Sequence, residues 1–237
     1  MRSAIGKELN KYLSLRRDTG ETGFWADEKK AAKGSSDRTV SLEGEFSDLE
    51  RQVKNCRRCR LGEYRLNACF GNGNRSSRIM FVGEGPGFEE DHRGEVFVGR
   101  AGKLLDKFIQ DKLGLSRSDV FITNIVKCHP MKDPSNPDKR GNDRPPSKDE
   151  VESCIGFLVR QVELVKPSLV VTLGSPASKT ILKTEQGISR LRGRSYDIMF
   201  GGTGIKVVPA YHPAYLLRNA SKIGEMAEDF SMIKSML

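Results

Sequence analysis

The chain has 237 residues, 37% hydrophobic and 30% charged, enough for one sizeable domain with a core and some extension. No apolar run approaches the roughly 20 residues of a membrane span, and the first residues lack the apolar stretch of a secretory signal. The formal net charge is +9, which suits a polyanionic partner without proving one. Five cysteines in such a chain point away from a disulfide framework and towards metal or thiol chemistry.

Residues 1–17 place Ile5, Leu9, Tyr12 and Leu13 on one stripe of a basic amphipathic helix. Glu8 and the scarcity of serine argue against a transit peptide. Residues 18–40 are rich in Gly, Ser, Asp and Lys without periodicity, so the expectation is a flexible extension over 1–40 preceding one domain over 41–237. Trp25 lies within that extension. Leu42, Phe46, Leu49 and Val53 have helical spacing and predict a helix to about Lys54 that delivers Cys56 and Cys59.

The apolar run Ile79–Val82 predicts a strand buried on both faces. Gly83, Gly85, Pro86 and Gly87 end it in a loop, followed by the acidic cluster Glu84, Glu89, Glu90 and Asp91, then Phe97 and a helix over 101–113. Further strands are expected at Val120–Val126, Leu169–Leu173 and Ile205–Ala210, alternating with helices near 147–165, 175–184 and 219–235. Ser147 and Glu150 form a capping box for the second of these helices. Met131–Pro146 reads as an exposed loop. Such alternation predicts an α/β fold, a three-layer α/β/α arrangement around a four-stranded parallel sheet.

All four strands end in polar residues: Glu84, Thr123-Asn124, Gly174-Ser175 and Tyr211-His212. If the strands are parallel, a carboxylate, an amide and an imidazole converge on one crevice, where open α/β sheets bind ligands. Taken singly, Glu84 reads as a turn acid, Asn124 as a satisfied buried amide and His212 as a capping histidine. The glycine loop is not a dinucleotide fingerprint, because Phe88 stands where the last glycine belongs. No phosphate-binding G-x-x-x-x-G-K-[ST] sequence occurs either. Cys56-x2-Cys59 with Cys128 and Cys154 supplies four thiolates, enough for a [4Fe–4S] cluster or a structural zinc. Cys154 also fits an apolar stripe with Val151, Ile155 and Leu158, and Cys69 reads as a small hydrophobe.

The segments GEGPGFEED, VFVGRAGKLLD, ITNIVKC and YHPAYLLR, with the four cysteines around them, resemble the family 4 uracil-DNA glycosylases over about Leu49 to Arg218. The resemblance implies a [4Fe–4S] cluster on Cys56, Cys59, Cys128 and Cys154. It also implies uracil-containing DNA as partner, Glu84 as catalytic carboxylate and His212 facing the uracil oxygen. Phe97 then stacks on the flipped base, Asn124 reads its edge, and Gly83 and Gly85 shape the loop that meets it. The chain departs from that pattern at Val96, where proline is usual, at His129-Pro130-Met131 in place of Arg-Pro-Pro, and in a longer loop to Pro146. Gly85 stands where the wider superfamily often has aspartate.

Arg190, Arg192 and Arg194, with Lys103, Arg218 and Lys222, are candidates to track phosphates. Ser175 can offer its hydroxyl and a helix N-terminus to another, and Tyr215-Leu216-Leu217 is a candidate wedge for the vacated base stack. The expectation is a monomeric enzyme of the cytoplasm, nucleoid-associated in a prokaryote. Its rivals are a non-catalytic nucleic-acid-binding module and a redox protein; neither needs a pocket of Glu84, Phe97, Asn124 and His212.

Overall fold

The computed structural model describes residues 41–237; the expected extension over 1–40, with its helix and Trp25, lies outside the described residues. Helix α1 (Leu42–Lys54) buries Phe46, Leu49 and Val53 and ends just before Cys56, as its spacing requires. A single turn, α2 (Leu61–Tyr64), follows Cys59.

The sheet has six strands in the order β1-β3-β2-β4-β6-β5. Its four middle strands are β3 (Phe121–Asn124), β2 (Ile79–Gly83), β4 (Leu169–Leu173) and β6 (Thr203–Ala210), all mutually parallel. An antiparallel strand closes each edge: β1 (Asn72–Gly73) beside β3 and β5 (Tyr196–Phe200) beside β6. The expected all-parallel, four-stranded sheet is therefore corrected to a six-stranded mixed one. The missed hairpin turns on Gly201 and Gly202, both at positive φ (57° and 84°), the backbone that a two-residue turn between right-twisted strands needs.

Side chains alternate along each central strand. Met80, Val82, Phe121, Val170 and Val207 face one core with α1 and α5 (Lys148–Val165). Ile79, Phe81, Ile122, Val171 and Val208 face the other, beneath α4 (Arg100–Phe108) and α9 (Ile223–Lys234). Helices thus cover both faces, which is why the central strands read as continuous apolar runs. Helix α4 passes directly into a π-helical turn, Ile109–Leu113, so the predicted helix over 101–113 is two segments.

The register matters most for the site. Gly83 pairs with Asn124 and Leu173 with Ala210, so the middle strands end almost level at one edge. Helix α3 (Phe88–Arg93) takes up Glu89, Glu90 and Asp91, leaving Glu84 on the loop before it, and α6 (Ser175–Leu182) starts immediately after β4. The turn α8 (Pro213–Leu216) follows β6, and α7 (Ile188–Leu191) precedes β5. The capping box at Ser147 forms as expected: Glu150 N–H donates to Ser147 Oγ at 3.3 Å, and Ser147 N–H donates to Glu150 Oε2 at 2.8 Å. The 131–146 segment is only partly the exposed loop expected, since Met131 and Asn142 are buried and Met131 bridges to Asp143. No helix among the described residues is long and apolar enough to cross a membrane.

Candidate active site and cysteine cage

Three of the four predicted pocket residues meet at the carboxyl edge of the sheet. A Cβ added to Gly83 would lie 2.4 Å from Asn124 Oδ1 and 2.6 Å from Phe97 Cζ, so the three groups are in direct contact and only glycine fits. Asn124 is 1% exposed and its Oδ1 has no hydrogen-bond partner among the described residues. No described residue satisfies this amide oxygen, which is buried beside the Phe97 ring. Phe97 stacks on His212 with ring centroids 5.6 Å apart and planes 28° from parallel.

His212 does cap a helix, as its plainest reading has it. Its Nδ1 accepts from Ala214 N–H at 3.1 Å. An accepting Nδ1 leaves the ring proton on Nε2, so capping itself selects the tautomer that can donate from Nε2. Burial, reinforced by the charge of Arg218, pushes the imidazole down to about 4. At neutral pH the ring is an uncharged donor.

Glu84 is half-buried on the loop after β2, and no side-chain hydrogen bond ties it to the described residues. Burial raises its carboxyl above the usual range. The loop packs tightly beneath it: a Cβ on Gly85 would lie 2.7 Å from Val126 Cγ2, and Ile125 N–H and Val126 N–H donate to Gly83 O and Glu84 O.

Phe97 has φ = 52°, a backbone conformation that residues with a side chain seldom adopt. Three residues absent from the sequence-based set hold it there. Glu90 Oε1 accepts from both Val98 N–H and Gly99 N–H at 2.9 Å, while its Oε2 accepts from Gly87 N–H. From the other side Arg117 donates through Nη1 to Phe97 O at 3.2 Å and to Asp106, and through Nη2 to Val96 O and Asn72. Gly102 lets the helix start close in, since a Cβ there would lie 1.8 Å from Phe97 O. The glycine at 102 was visible in the sequence; the arginine, 20 positions from Phe97, carried no local signal.

Cys56, Cys59, Cys128 and Cys154 line one cavity with Val53, Leu61 and Arg65. Among the described residues no three Cys, His, Asp or Glu side chains close on a single-ion site; the four thiols surround a space. Arg65 Nη1 donates to Cys128 Sγ at 3.2 Å and to Cys56 O at 2.9 Å, stitching two of the contributing segments together. Burial pushes the Cys128 thiol up to about 11 and the Cys154 thiol up to about 12. Cys69 is fully buried against Phe97's side of the core and donates to Glu90 O, as its reading as a hydrophobe implies.

The unusual His129 is structural. Its Nε2 lies 2.7 Å from Asp143 Oδ1 and its Nδ1 3.4 Å from the buried Asp91 Oδ2. Burial opposes the charged ring, but its hydrogen bond to Asp143 and the nearby Asp91 carboxylate override it and hold the imidazole up to about 9. The three groups join α3, the cysteine segment and the long loop. Asp91 also accepts from Leu66 and Asn67 N–H.

The expected phosphate-tracking residues divide. Arg190 and Arg218 are exposed, as are Arg194 and Lys103, whereas Lys222 is half-buried and paired with Glu225. Ser175 is half-exposed at the start of α6. Arg192 is a correction: its guanidinium is turned inward, bonded to Asp229 and Glu225 and stacked over Tyr211. With those carboxylates satisfied by it, this arginine braces α9 against β6's end and has no charge to offer DNA. In the candidate wedge Leu216 is core and Tyr215 stacks on Tyr211, leaving Leu217 exposed.

The four parallel central strands bring a glycine loop, a buried amide and a neutral imidazole to one carboxyl edge, the place where open α/β sheets bind their ligands. The profile described as the uracil DNA glycosylase superfamily matches residues 70–234. The type-4 uracil-DNA glycosylase of Saccharolobus solfataricus is 41% identical over 190 residues, covering 78% of this chain and 83% of the relative. The type-4 enzyme of Sulfurisphaera tokodaii is 40% identical over 192 residues, covering 79% and 83%. That of Archaeoglobus fulgidus is 40% identical over 192 residues, covering 79% and 91%. The chain belongs to the type-4 uracil-DNA glycosylases of the uracil DNA glycosylase superfamily.

Proposed function

We propose that the domain over 41–237 is a monofunctional uracil-DNA glycosylase, which takes a uracil flipped out of DNA and hydrolyses its N-glycosidic bond. The observation that carries this reading is the unpartnered Oδ1 of Asn124. Leaving a buried carbonyl without a donor costs ~1–3 kcal/mol, and the N3–H of uracil supplies that donor while O4 accepts from the Asn124 amide nitrogen. Cytosine reverses both groups and leaves both mispaired. Phe97 is the stacking surface for the base, and its clamped backbone fixes the plane in advance.

Cleavage breaks the bond between C1′ and N1, leaving positive charge on the sugar and negative charge on the departing uracil. The Nε2–H of His212 donates to the base oxygen as that charge develops, an oxyanion-type effect that needs a neutral ring. Ionised Glu84 favours the cationic sugar and orients the attacking water, accepting its proton as oxygen bonds to C1′. Arg190 and Arg218 meet phosphates, Ser175 another at the start of α6, and Leu217 fills the gap the base leaves.

Cys56, Cys59, Cys128 and Cys154 would hold a [4Fe–4S] cluster. Four thiols lining one cavity are the donor set a cubane takes, and thiols that burial keeps protonated ionise when metal charge compensates them. Bound there, the cluster supplies cross-linking, tying the end of α1, the segment after β3 and α5 together. The chain is read as a monomer.

The test is Asn124→Asp, compared with the parent protein in single turnovers on uracil and cytosine oligonucleotides, single- and double-stranded. Uracil excision should be lost and weak cytosine excision gained, because a carboxylate can accept from the N4 amino group. An unchanged uracil-to-cytosine preference overturns the reading.

A further inference from the structure

Lys127 lies between the cysteine cage and the base pocket, and neither fold nor chemistry as described so far uses it. Its side chain is among the largest that are fully buried. The ammonium donates to Thr123 Oγ1, Asn124 O and Gln161 Oε1, each at 2.7 Å. Three donors meet three acceptors, and all three acceptors are neutral. A buried cation ordinarily has a carboxylate partner; here the ionisable groups acting on it are the thiols of Cys154, Cys128 and Cys69. Its main chain touches the same region, since Lys127 O accepts from Cys69 N–H at 2.8 Å.

The acceptor on Asn124 is informative. Asn124 is the last residue of β3, and its carbonyl points past the end of the ladder, where a buried C=O needs some other donor. Lys127 is that donor. The main chain it holds is that of Asn124, whose side-chain Oδ1 is the unpartnered atom against Gly83 and Phe97. Thr123 and Gln161 in turn fix the ammonium: Thr123 Oγ1 and Gln161 Nε2 both donate to Phe70 O, at 3.0 and 2.7 Å.

We propose that Lys127 is a specificity-positioning residue that locks Asn124 in its base-reading orientation, and that the anionic cysteine cage, when it holds its cluster, supplies the counter-charge this buried ammonium lacks. The inference rests on Asn124 reading the base, and it adds a link between the cage and the reading group. A thiolate-bound cluster carries net negative charge, so the ammonium stabilises its more reduced state and the cluster stabilises the ammonium.

The experiment compares three iron-loaded proteins by single-turnover uracil excision and by EPR-monitored redox titration of the cluster. Lys127→Met keeps length and removes both donors and charge: excision should fall about 10–100-fold, the worth of one charge-assisted hydrogen bond, and the cluster potential should move to more negative values. Gln161→Glu keeps the acceptor for the ammonium while neutralising its charge, but gives up the donation to Phe70 O, so it is read by potential alone, which should move the same way. Asn124→Ala separates this inference from the pocket reading. If Asn124→Ala excises uracil normally, the pocket reading fails. If it does not, and Lys127→Met is as fast as the parent, the positioning role is overturned. A potential unchanged in both Lys127→Met and Gln161→Glu overturns the charge link. Should Lys127→Met yield no folded protein, Lys127→Arg keeps the charge, but its planar fork cannot meet three acceptors around one nitrogen. It should then lose excision at unchanged potential, and normal excision would overturn the positioning role.

Discussion

At the scale of single residues, the pocket is defined by what each side chain is denied. Gly83 is denied a Cβ by Asn124 and Phe97, Asn124 is denied a donor, and His212 is denied a charge. Gly83→Ala should therefore abolish excision while leaving DNA binding close to normal, because the added methyl must displace the amide or the ring; fluorescence anisotropy with an uncleavable analogue checks the second half. The titrating groups give a directional prediction as well. Glu84 acts ionised and burial raises its pKa from 4.5, so single-turnover rates should rise with pH through a limb above 4.5. His212 loses its proton already at about 4, so no further step should appear near 6.5, the ordinary imidazole value. Glu84→Gln should flatten the acid limb and slow excision ~10²–10⁴-fold. A step near 6.5 that survives in Glu84→Gln would assign the limb to His212 and contradict the neutral-donor role.

Between residues and the molecule stand the elements, and here the segment from Val96 to Gly102 is the most constrained. A positive-φ phenylalanine costs of order 1–3 kcal/mol, and it persists because Arg117 and Glu90 bond its neighbours from opposite sides. Arg117→Ala should relax Phe97 and raise the KM for uracil DNA, with a loss of rate as the stacked base becomes less well oriented. Arg117→Lys, which keeps charge but not the fork, should recover little. Steady-state kinetics on both variants, beside a melting curve to show that each is folded, make the measurement. Equal KM in all three would mean that Gly102 and Glu90 suffice.

For the whole molecule, the cage joins three stretches far apart in sequence, those carrying Cys56 and Cys59, Cys128, and Cys154. Closing such loops constrains the unfolded chain, and metal binding energy then counts as folding energy. Preparations made without chelators should be brown and hold about four irons per chain. Cys128→Ser or Cys154→Ser should lose the colour and melt several degrees lower, whereas Cys69→Ser should keep the iron and lose only some stability as a buried core sulfur becomes a hydroxyl. Zinc in place of iron in anaerobic preparations would overturn the cluster assignment.

How much of this was written in the local sequence follows from the range of the forces involved. The central strands, the capped α5 and the glycine loop were legible because burial on both faces, helix capping and backbone freedom act over a few residues. That Asn124 and His212 lie at one edge was legible because parallel strands deliver their ends there, so neither needed pairing information. The Gly201-Gly202 hairpin was equally local and simply carried a weaker strand pattern, exposed on alternate residues. Charge was the poorest guide. Arg192 looks like its neighbours Arg190 and Arg194 until α9 brings Glu225 and Asp229 to it. Lys127 looks like a surface lysine until β3, α5 and the cage enclose it, and Arg117 becomes a clamp only when packed under Val96 and Phe97. By itself the sequence determined which backbone conformations and which buried faces this protein has; where each charge is spent, and which buried oxygen is left without a donor, only the tertiary structure decided, because those depend on partners 20 to more than 30 residues away.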